Sequence, residues 1–194
     1  MIREAKAEDL PKMRDIEVAA GEAFRTLNMG AIADDAPPSL EALAVYQQDA
    51  RAWVATDSDD EAVAYILIEV VEPFVHIEQV TVHPLHARQG LGRKLIDQAA
   101  LWAAARGLKG MTLTTFERVP WNAPYYARLG FHPVPEHQWP DALHQIVQSE
   151  RAHGLDAWPR VVMKKNLSGG SVGIVGVADA QLCPDAVEKP HGVQ

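Results

Sequence analysis

A mixed α/β fold, one sheet covered by helices, is what this sequence predicts. Three observations carry it. Residues 52–82 hold three apolar or alternating runs broken by short turns, which suits consecutive antiparallel strands. From Phe74 to Phe116 the pattern becomes strand, helix, strand. A hydrophobic content of 47% and a charged content of 23% over 194 residues suit one globular domain with a full core.

Met1–Lys6 reads as a short strand. Asp9 is a candidate N-cap for a helix from Leu10 to about Phe24, whose stripe is Met13, Ile16, Ala20 and Phe24. Gly30, Asp34-Asp35 and Pro37-Pro38 make residues 25–38 a loop. Ser39 caps a second helix, through Leu43 and Tyr46 to about Ala50. Strands follow at Ala52–Thr56 and Ala62–Val71, with a turn at Asp57–Asp60. The next strand, Phe74–Val82, closes at His83-Pro84. A helix from about Arg93 to Arg106 ends at Gly107, a good residue for the left-handed position past a helix. Met111–Phe116 is a strand, and Asn122 is placed to cap a short helix from Ala123 to Leu129, where Pro124 fits the first turn. A strand starts at Phe131–Val134, residues 140–153 form an amphipathic helix, and Arg160–Lys164 is the last strand. The domain is therefore expected over residues 1–165. From Asn166 the pattern fails, and residues 166–194 read as a flexible tail, with an edge strand at Val172–Val177 as the alternative.

Composition excludes several classes. No run of about 18 apolar residues marks a membrane span, and the N-terminus has no signal-peptide core. The single Cys183 rules out an internal disulfide framework and suits a reducing, cytoplasmic setting. The net charge of -8 is unevenly spread. Residues 1–72 carry the acidic excess, whereas residues 73–130 carry seven basic against three acidic side chains. The acidic first third argues against nucleic acid and permits a cationic partner, though it equally suits a solvated surface. No His/Cys/Asp/Glu cluster has metal-ligand spacing, so no metal is expected.

The most informative segment is Arg88-Gln89-Gly90-Leu91-Gly92-Arg93, at the junction of a strand and a helix. Glycines let bare N–H groups approach a ligand, and a helix start adds unpaired donors and a positive dipole end. With Arg88, Arg93 and Lys94 nearby, this is an anion cradle for a phosphorylated cofactor. It lacks the third glycine of a dinucleotide fingerprint and the Gly-Lys-Ser/Thr of a P-loop.

With Val82-His83-Pro84 before that segment and Tyr126-Ala127-Arg128-Leu129-Gly130-Phe131 after it, the chain resembles the GNAT superfamily of acyl-CoA N-acyltransferases. The pattern Ile2-Arg3-x-Ala5-x-x-x-Asp9-Leu10 is similar to that family's first strand and helix. The resemblance implies a mostly antiparallel sheet of six to seven strands, splayed between the strands ending near Val82 and at 111–116. It implies acetyl-CoA as cofactor, its pyrophosphate on residues 88–93, that is Arg88, Gln89, Gly90, Leu91, Gly92 and Arg93. It implies pantetheine along Val80-Thr81-Val82 in the manner of an added strand. A β-bulge near Gln79–Val80 would present an N–H to the thioester carbonyl. Two positions depart from the family's pattern. Ala87 stands where Gln or Arg is frequent, and Val119 where Asn is frequent, so that Asn122 is left as the candidate cofactor contact.

The implied reaction is acetyl transfer to a primary amine by direct attack, which needs a deprotonated amine, donors for the oxyanion and a proton for the thiolate. Tyr126 matches the family's tyrosine and is the candidate general acid; the alternative is a packed aromatic like Tyr125. Glu78 is the candidate base, with His76 and Glu117 behind it. Phe24, Asn28, Met29, Glu117, Trp121 and Tyr125 are candidate acceptor-pocket residues. A small-molecule or peptide amine is the expected partner, with no nucleic acid and no membrane, and the helix at 140–153 and the final strand offer surfaces for a homodimer. The rivals are an acyl-CoA-binding sensor without turnover and transfer of a longer acyl group. Cys183, in the tail, makes a poor acyl-enzyme nucleophile.

Overall fold

The computed structural model describes residues 1–167. The alternative strand at Val172–Val177 and Cys183 lie outside these residues. Seven strands form one sheet: β1 (Ile2–Glu4), β2 (Ala52–Thr56), β3 (Ala62–Val71), β4 (Phe74–Val82), β5 (Gly110–Phe116), β6 (His132–Pro133) and β7 (Arg160–Asn166). Their order across the sheet is β1-β2-β3-β4-β5-β7-β6. Every neighbouring pair is antiparallel except β4 with β5. The helices are α1 (Leu10–Gly21), α2 (Gly30–Ala33), α3 (Leu40–Gln48), α4 (Leu91–Ala105), α5 (Ala123–Arg128) and α6 (Asp141–Ala152).

The strand β3 is apolar almost throughout and lies between β2 and β4, with helices over both faces, so both sets of its side chains are buried. On one face Ile66, Ile68, Ile77, Met111 and Leu113 pack against Leu95, Ile96, Ala99 and Ala103 of α4. On the other, Val54, Tyr65 and Leu67 pack against Met13 and Ile16 of α1 and Leu43 and Tyr46 of α3. Further along that face, α6 places Leu143, Ile146 and Val147 against Val71 and Val162.

Most expected elements are present, with informative differences. The first helix gives way after Gly21 to a 3-10 turn over Glu22–Leu27. The segment expected to be a plain loop also contains α2, whose Ile32 joins Phe24, Met29 and Phe116 in a small core. Asp9 does not cap α1 through its side chain. Its carboxylate instead accepts from the Lys6 amide at 2.7 Å and pairs with Arg3 at 2.7 Å, joining the first turn to β1. Ser39 caps α3 as expected, accepting from the Ala42 amide at 3.2 Å. Gly107, at φ 71, follows α4 as expected. The strand at Phe131–Val134 shrinks to His132–Pro133, with the Phe131 amide taken by the Tyr126 carbonyl at 3.1 Å and the Val134 amide still donating to Val162 at 2.9 Å. The last strand runs to Asn166, and Leu167 packs on the core, so the expected boundary at 165 falls inside β7.

Candidate active site

The site begins where the sheet opens. Strands β4 and β5 pair only from Phe74 to Ile77 against Gly110 to Leu113. Beyond those residues they part, which is the splay expected between them. Strand β4 also carries a bulge. Ile77 faces Ile68 and Gln79 faces Leu67, so Glu78 is the extra residue. It lies one residue earlier than the expected Gln79–Val80. The bulge resets the alternation of the strand. Before it, Val75 and Ile77 face α4; after it, Val80 and Val82 pack on that side while Thr81 faces α1.

The glycine segment starts α4 at the open end of β4. Gly90 is the helix N-cap at φ 75, and Arg88 is left-handed too, at φ 63. The first intrahelical bond runs from the Lys94 amide to the Gly90 carbonyl at 3.1 Å. The amides of Leu91, Gly92 and Arg93 precede that bond, as in any helix start. A Cβ on Gly90 would meet nothing within 4 Å, so its free side is open space. A Cβ on Gly92 would lie 3.1 Å from the Tyr125 hydroxyl, so glycine there lets α5 approach α4. These residues fit a diphosphate: donors at a helix start, open space before them and a guanidinium at Arg88.

A cavity of about 770 Å³ connects this cradle to the middle of the molecule. Its walls hold Val80, Thr81, Val82, Arg88, Gly90, Leu91 and Gly92 from the expected cofactor residues, together with Tyr126. Phe24, Trp121 and Tyr125 from the expected acceptor pocket line it as well. Ala87, the departure from the family pattern, is on its wall.

The side chains of other expected residues do not line that cavity. Gln89 is exposed, and Arg93 is exposed beside Asp97 at 3.8 Å. Met29 is buried with Phe24 and Phe116, and Asn28 is an exposed left-handed residue ending the 3-10 turn. Glu117 is exposed at the end of β5. Glu78 is half-buried and outside the cavity wall, and its charge acts on Tyr46 and Arg160. His76 is buried in the sheet with its Nδ1 2.9 Å from the Thr112 hydroxyl. Asn122 starts α5 but does not cap it through its side chain. Its Nδ2 donates instead to the Thr115 hydroxyl at 2.7 Å, fastening α5 to β5. Asn122→Ala should therefore cost about 1–3 kcal/mol of stability, because a buried hydroxyl loses its donor. Thermal melting checks this, and an unchanged midpoint would show the bond to be dispensable.

Tyr126 is buried, with its ring edge-on to Tyr125 and to Phe131 at 5.5 and 5.8 Å. Burial, with a smaller contribution from Tyr125, pushes its hydroxyl above the ordinary phenol range. It therefore carries its proton at neutral pH and is a hydrogen-bond donor. Burial raises Tyr125 in the same way.

Among the cavity residues that were not anticipated, one carries a buried carboxylate. Glu17, on α1, lines the wall beside Thr81. Its Oε2 accepts from the Tyr65 hydroxyl and from the Thr81 hydroxyl, each at 2.8 Å. Burial pushes its carboxyl up to about 7, with the hydrogen bonds from Thr81, Tyr65 and Gln79 opposing that rise. The residue is deep in the protein, and its partial exposure faces the cavity. The signal was in the sequence. Glu17 is four residues after Met13 and three before Ala20, so it is a carboxylate inside the apolar stripe of α1. Among the described residues no group of three His, Cys, Asp or Glu is placed to hold a metal ion. Among them, no helix is long and apolar enough to cross a membrane.

The sequence profile of the acetyltransferase (GNAT) family matches residues 13–131. Solved structures agree in fold. The ribosomal-protein-S18-alanine N-acetyltransferase from Escherichia coli superposes with a TM-score of 0.59 at 20% identity, over 91% of this chain and 99% of that one. A phosphinothricin acetyltransferase from Sinorhizobium meliloti, in complex with AcCoA, gives 0.60 at 17% identity, over 88% and 90%. The N-acetylglutamate synthase from Neisseria gonorrhoeae, complexed with coenzyme A and N-acetyl-glutamate, gives 0.64 at 15% identity, over 87% of this chain and 35% of that one. A profile match spanning most of the chain, a sheet parted between β4 and β5, and a glycine-capped helix at the opening agree, and the chain belongs to the acetyltransferase (GNAT) family.

Proposed function

We propose that the protein is an N-acetyltransferase that uses acetyl-CoA and acetylates a primary amine by direct attack in a ternary complex. The observation that carries this reading is the single cavity joining the helix-start cradle, the open edge of β4 and the Tyr126 wall. The cofactor supplies an acetyl thioester. Leu91, Gly92 and Arg93 amides with Arg88 would hold its diphosphate, and Val80, Thr81 and Val82 would flank its pantetheine arm. Tyr126 would donate to the departing sulfur. The charge along the cavity suits two substrates of opposite sign, with Arg88 and Arg128 toward the cradle and Glu17 and Asp35 toward α1 and α2. CoA complexes of proteins sharing the fold support the cofactor reading.

Thiol release from acetyl-CoA across a panel of small amines, polyamines, amino acids and peptide N-termini tests the proposal. Turnover with at least one amine is expected. CoA binding with no turnover on any amine would favour a sensor instead. Cys183→Ala should retain full activity, because direct attack needs no acyl-enzyme. Loss of activity there, or an acetylated Cys183 trapped in mass spectra, would sink direct attack.

A further inference from the structure

We propose that Glu17 receives the acceptor ammonium and takes its proton, which makes α1 the acceptor side of the site. This rests on the acetyl-transfer reading above. Three geometric observations carry it. Glu17 is on the wall of the same cavity as Thr81 and Tyr126. Tyr65 from β3 and Thr81 from β4 both donate to Oε2, which anchors the carboxylate on two rigid strands. Gln79 also hydrogen-bonds the carboxylate, so Tyr65, Thr81 and Gln79 together hold it against the sheet at the cavity wall.

The surroundings suit proton transfer. Desolvation brings the carboxyl to about 7, and Asp35, in the loop after α2, adds to that rise. Tyr65 is the other titratable group acting on it, and burial holds that phenol far above its ordinary range, so it stays a donor. Gln79 and Thr81 add neutral donors. The cationic side chains of the cavity, Arg88 and Arg128, are on the glycine-loop helix junction and on α5. An entering ammonium therefore meets Glu17 and Asp35 at the α1 wall. A carboxylate near neutrality both pairs with the cation and accepts its proton at working pH.

The step balances. Glu17 takes one proton from the ammonium, and the nitrogen lone pair forms the C–N bond to the acetyl carbon as the C–S bond breaks. The sulfur takes a proton from the Tyr126 hydroxyl, which recovers one from the nitrogen. Glu17 then releases its proton to solvent, which is the one proton of net release. Glu78, the base expected from sequence, is outside this cavity wall, with its carboxylate acting on Tyr46 and Arg160.

Glu17→Gln is the first test, since it keeps shape and removes the base. Turnover should fall about 100-fold or more, and the acidic limb of the kcat/KM profile near pH 7 should disappear. CoA affinity, measured by calorimetry, should stay within about twofold. Glu78→Gln should keep the limb. Wild-type limb and turnover in Glu17→Gln would overturn the proposal, and a limb lost only in Glu78→Gln would assign the base to Glu78. Tyr65→Phe serves if Glu17→Gln does not fold. Removing one donor to Oε2 should move the limb to higher pH, and an unmoved limb would count against Glu17. Carbon-13 NMR of the CoA-bound protein gives a readout without turnover. One glutamate carboxyl titrating near 7, absent in Glu17→Gln, is expected, and its titration in the ordinary carboxylate range would overturn the proposal. Absence of wild-type turnover with every amine would instead overturn the acetyl-transfer reading and take this proposal with it.

Discussion

Tyr126→Phe should lower turnover by about 100- to 1,000-fold while leaving CoA affinity within about twofold. The ring would keep its packing on Tyr125 and Phe131, so the variant should fold. What it loses is the hydroxyl of a residue on the cavity wall. Burial makes that hydroxyl a weaker acid than a free phenol. A thiolate, whose conjugate acid has a pKa of about 8.5, is a weaker base than the buried phenolate, so the sulfur keeps the proton only as Tyr126 recovers one from the nitrogen while the C–S bond breaks. The hydroxyl is therefore worth most in the transition state, and its loss should appear in kcat more than in KM. Steady-state kinetics beside calorimetric CoA titration separate the two. Turnover within about threefold of wild type would make Tyr126 a packing residue.

Gly90→Val should weaken CoA binding by roughly 10- to 30-fold and lower the melting temperature of the ligand-free protein by only a few degrees. Gly90 holds φ 75, where a β-branched residue costs about 1–2 kcal/mol. If the loop relaxes to avoid that strain, the amides at the start of α4 lose their arrangement. If it does not relax, the new side chain fills the open space in front of them. Either outcome harms an anion site more than it harms a helix cap. Calorimetric titration with CoA checks this. Wild-type affinity would remove the cradle from the site and leave Gly90 as a turn residue.

The two stability effects of Glu17 follow from the sign of its shift. Its folded-state carboxyl is raised, so the stability attached to its protonated form is present below the ordinary carboxylate range and is lost as pH rises through about 7. Glu17→Gln should accordingly melt higher than wild type at pH 8 and close to it at pH 5. A thermal melt at both pH values reads this, and a gap independent of pH would contradict the shift.

Much of the donor half of this site was legible along the chain. Gly90 and Gly92 fall between a strand ending at Val82 and an amphipathic helix, and a run of local residues needs no partner to mark a helix start. The cavity wall at Val80–Val82, Arg88, Leu91 and Tyr126 follows from the same contiguous segments. The acceptor half was legible only in part. Phe24, Trp121 and Tyr125 meet at the cavity, whereas Glu117 stays exposed and Met29 goes into a core with Phe116. A loop's residues have no periodicity to say which side chains turn inward, so residues 25–38 could not be sorted in advance. Glu17 was visible as a charge in an apolar stripe, but its value lay in partners 48 and 64 residues away, Tyr65 and Thr81.

The division between these two halves has a physical origin. Strand and helix periods, turn residues and a glycine-capped helix start are properties of neighbouring residues, so the fold class, the order of elements and the anion cradle could be read from the chain alone. Which carboxylate becomes chemically useful is a property of what surrounds it in space. Glu78, Glu117 and Glu17 are indistinguishable as letters. The bulge at Glu78 and the exposure of Glu117 keep both off the cavity wall, while α1 lays Glu17 against β3 and β4 at the cavity edge. Desolvation and long-range hydrogen bonds exist only after the sheet has closed, and they single out Glu17 from the three.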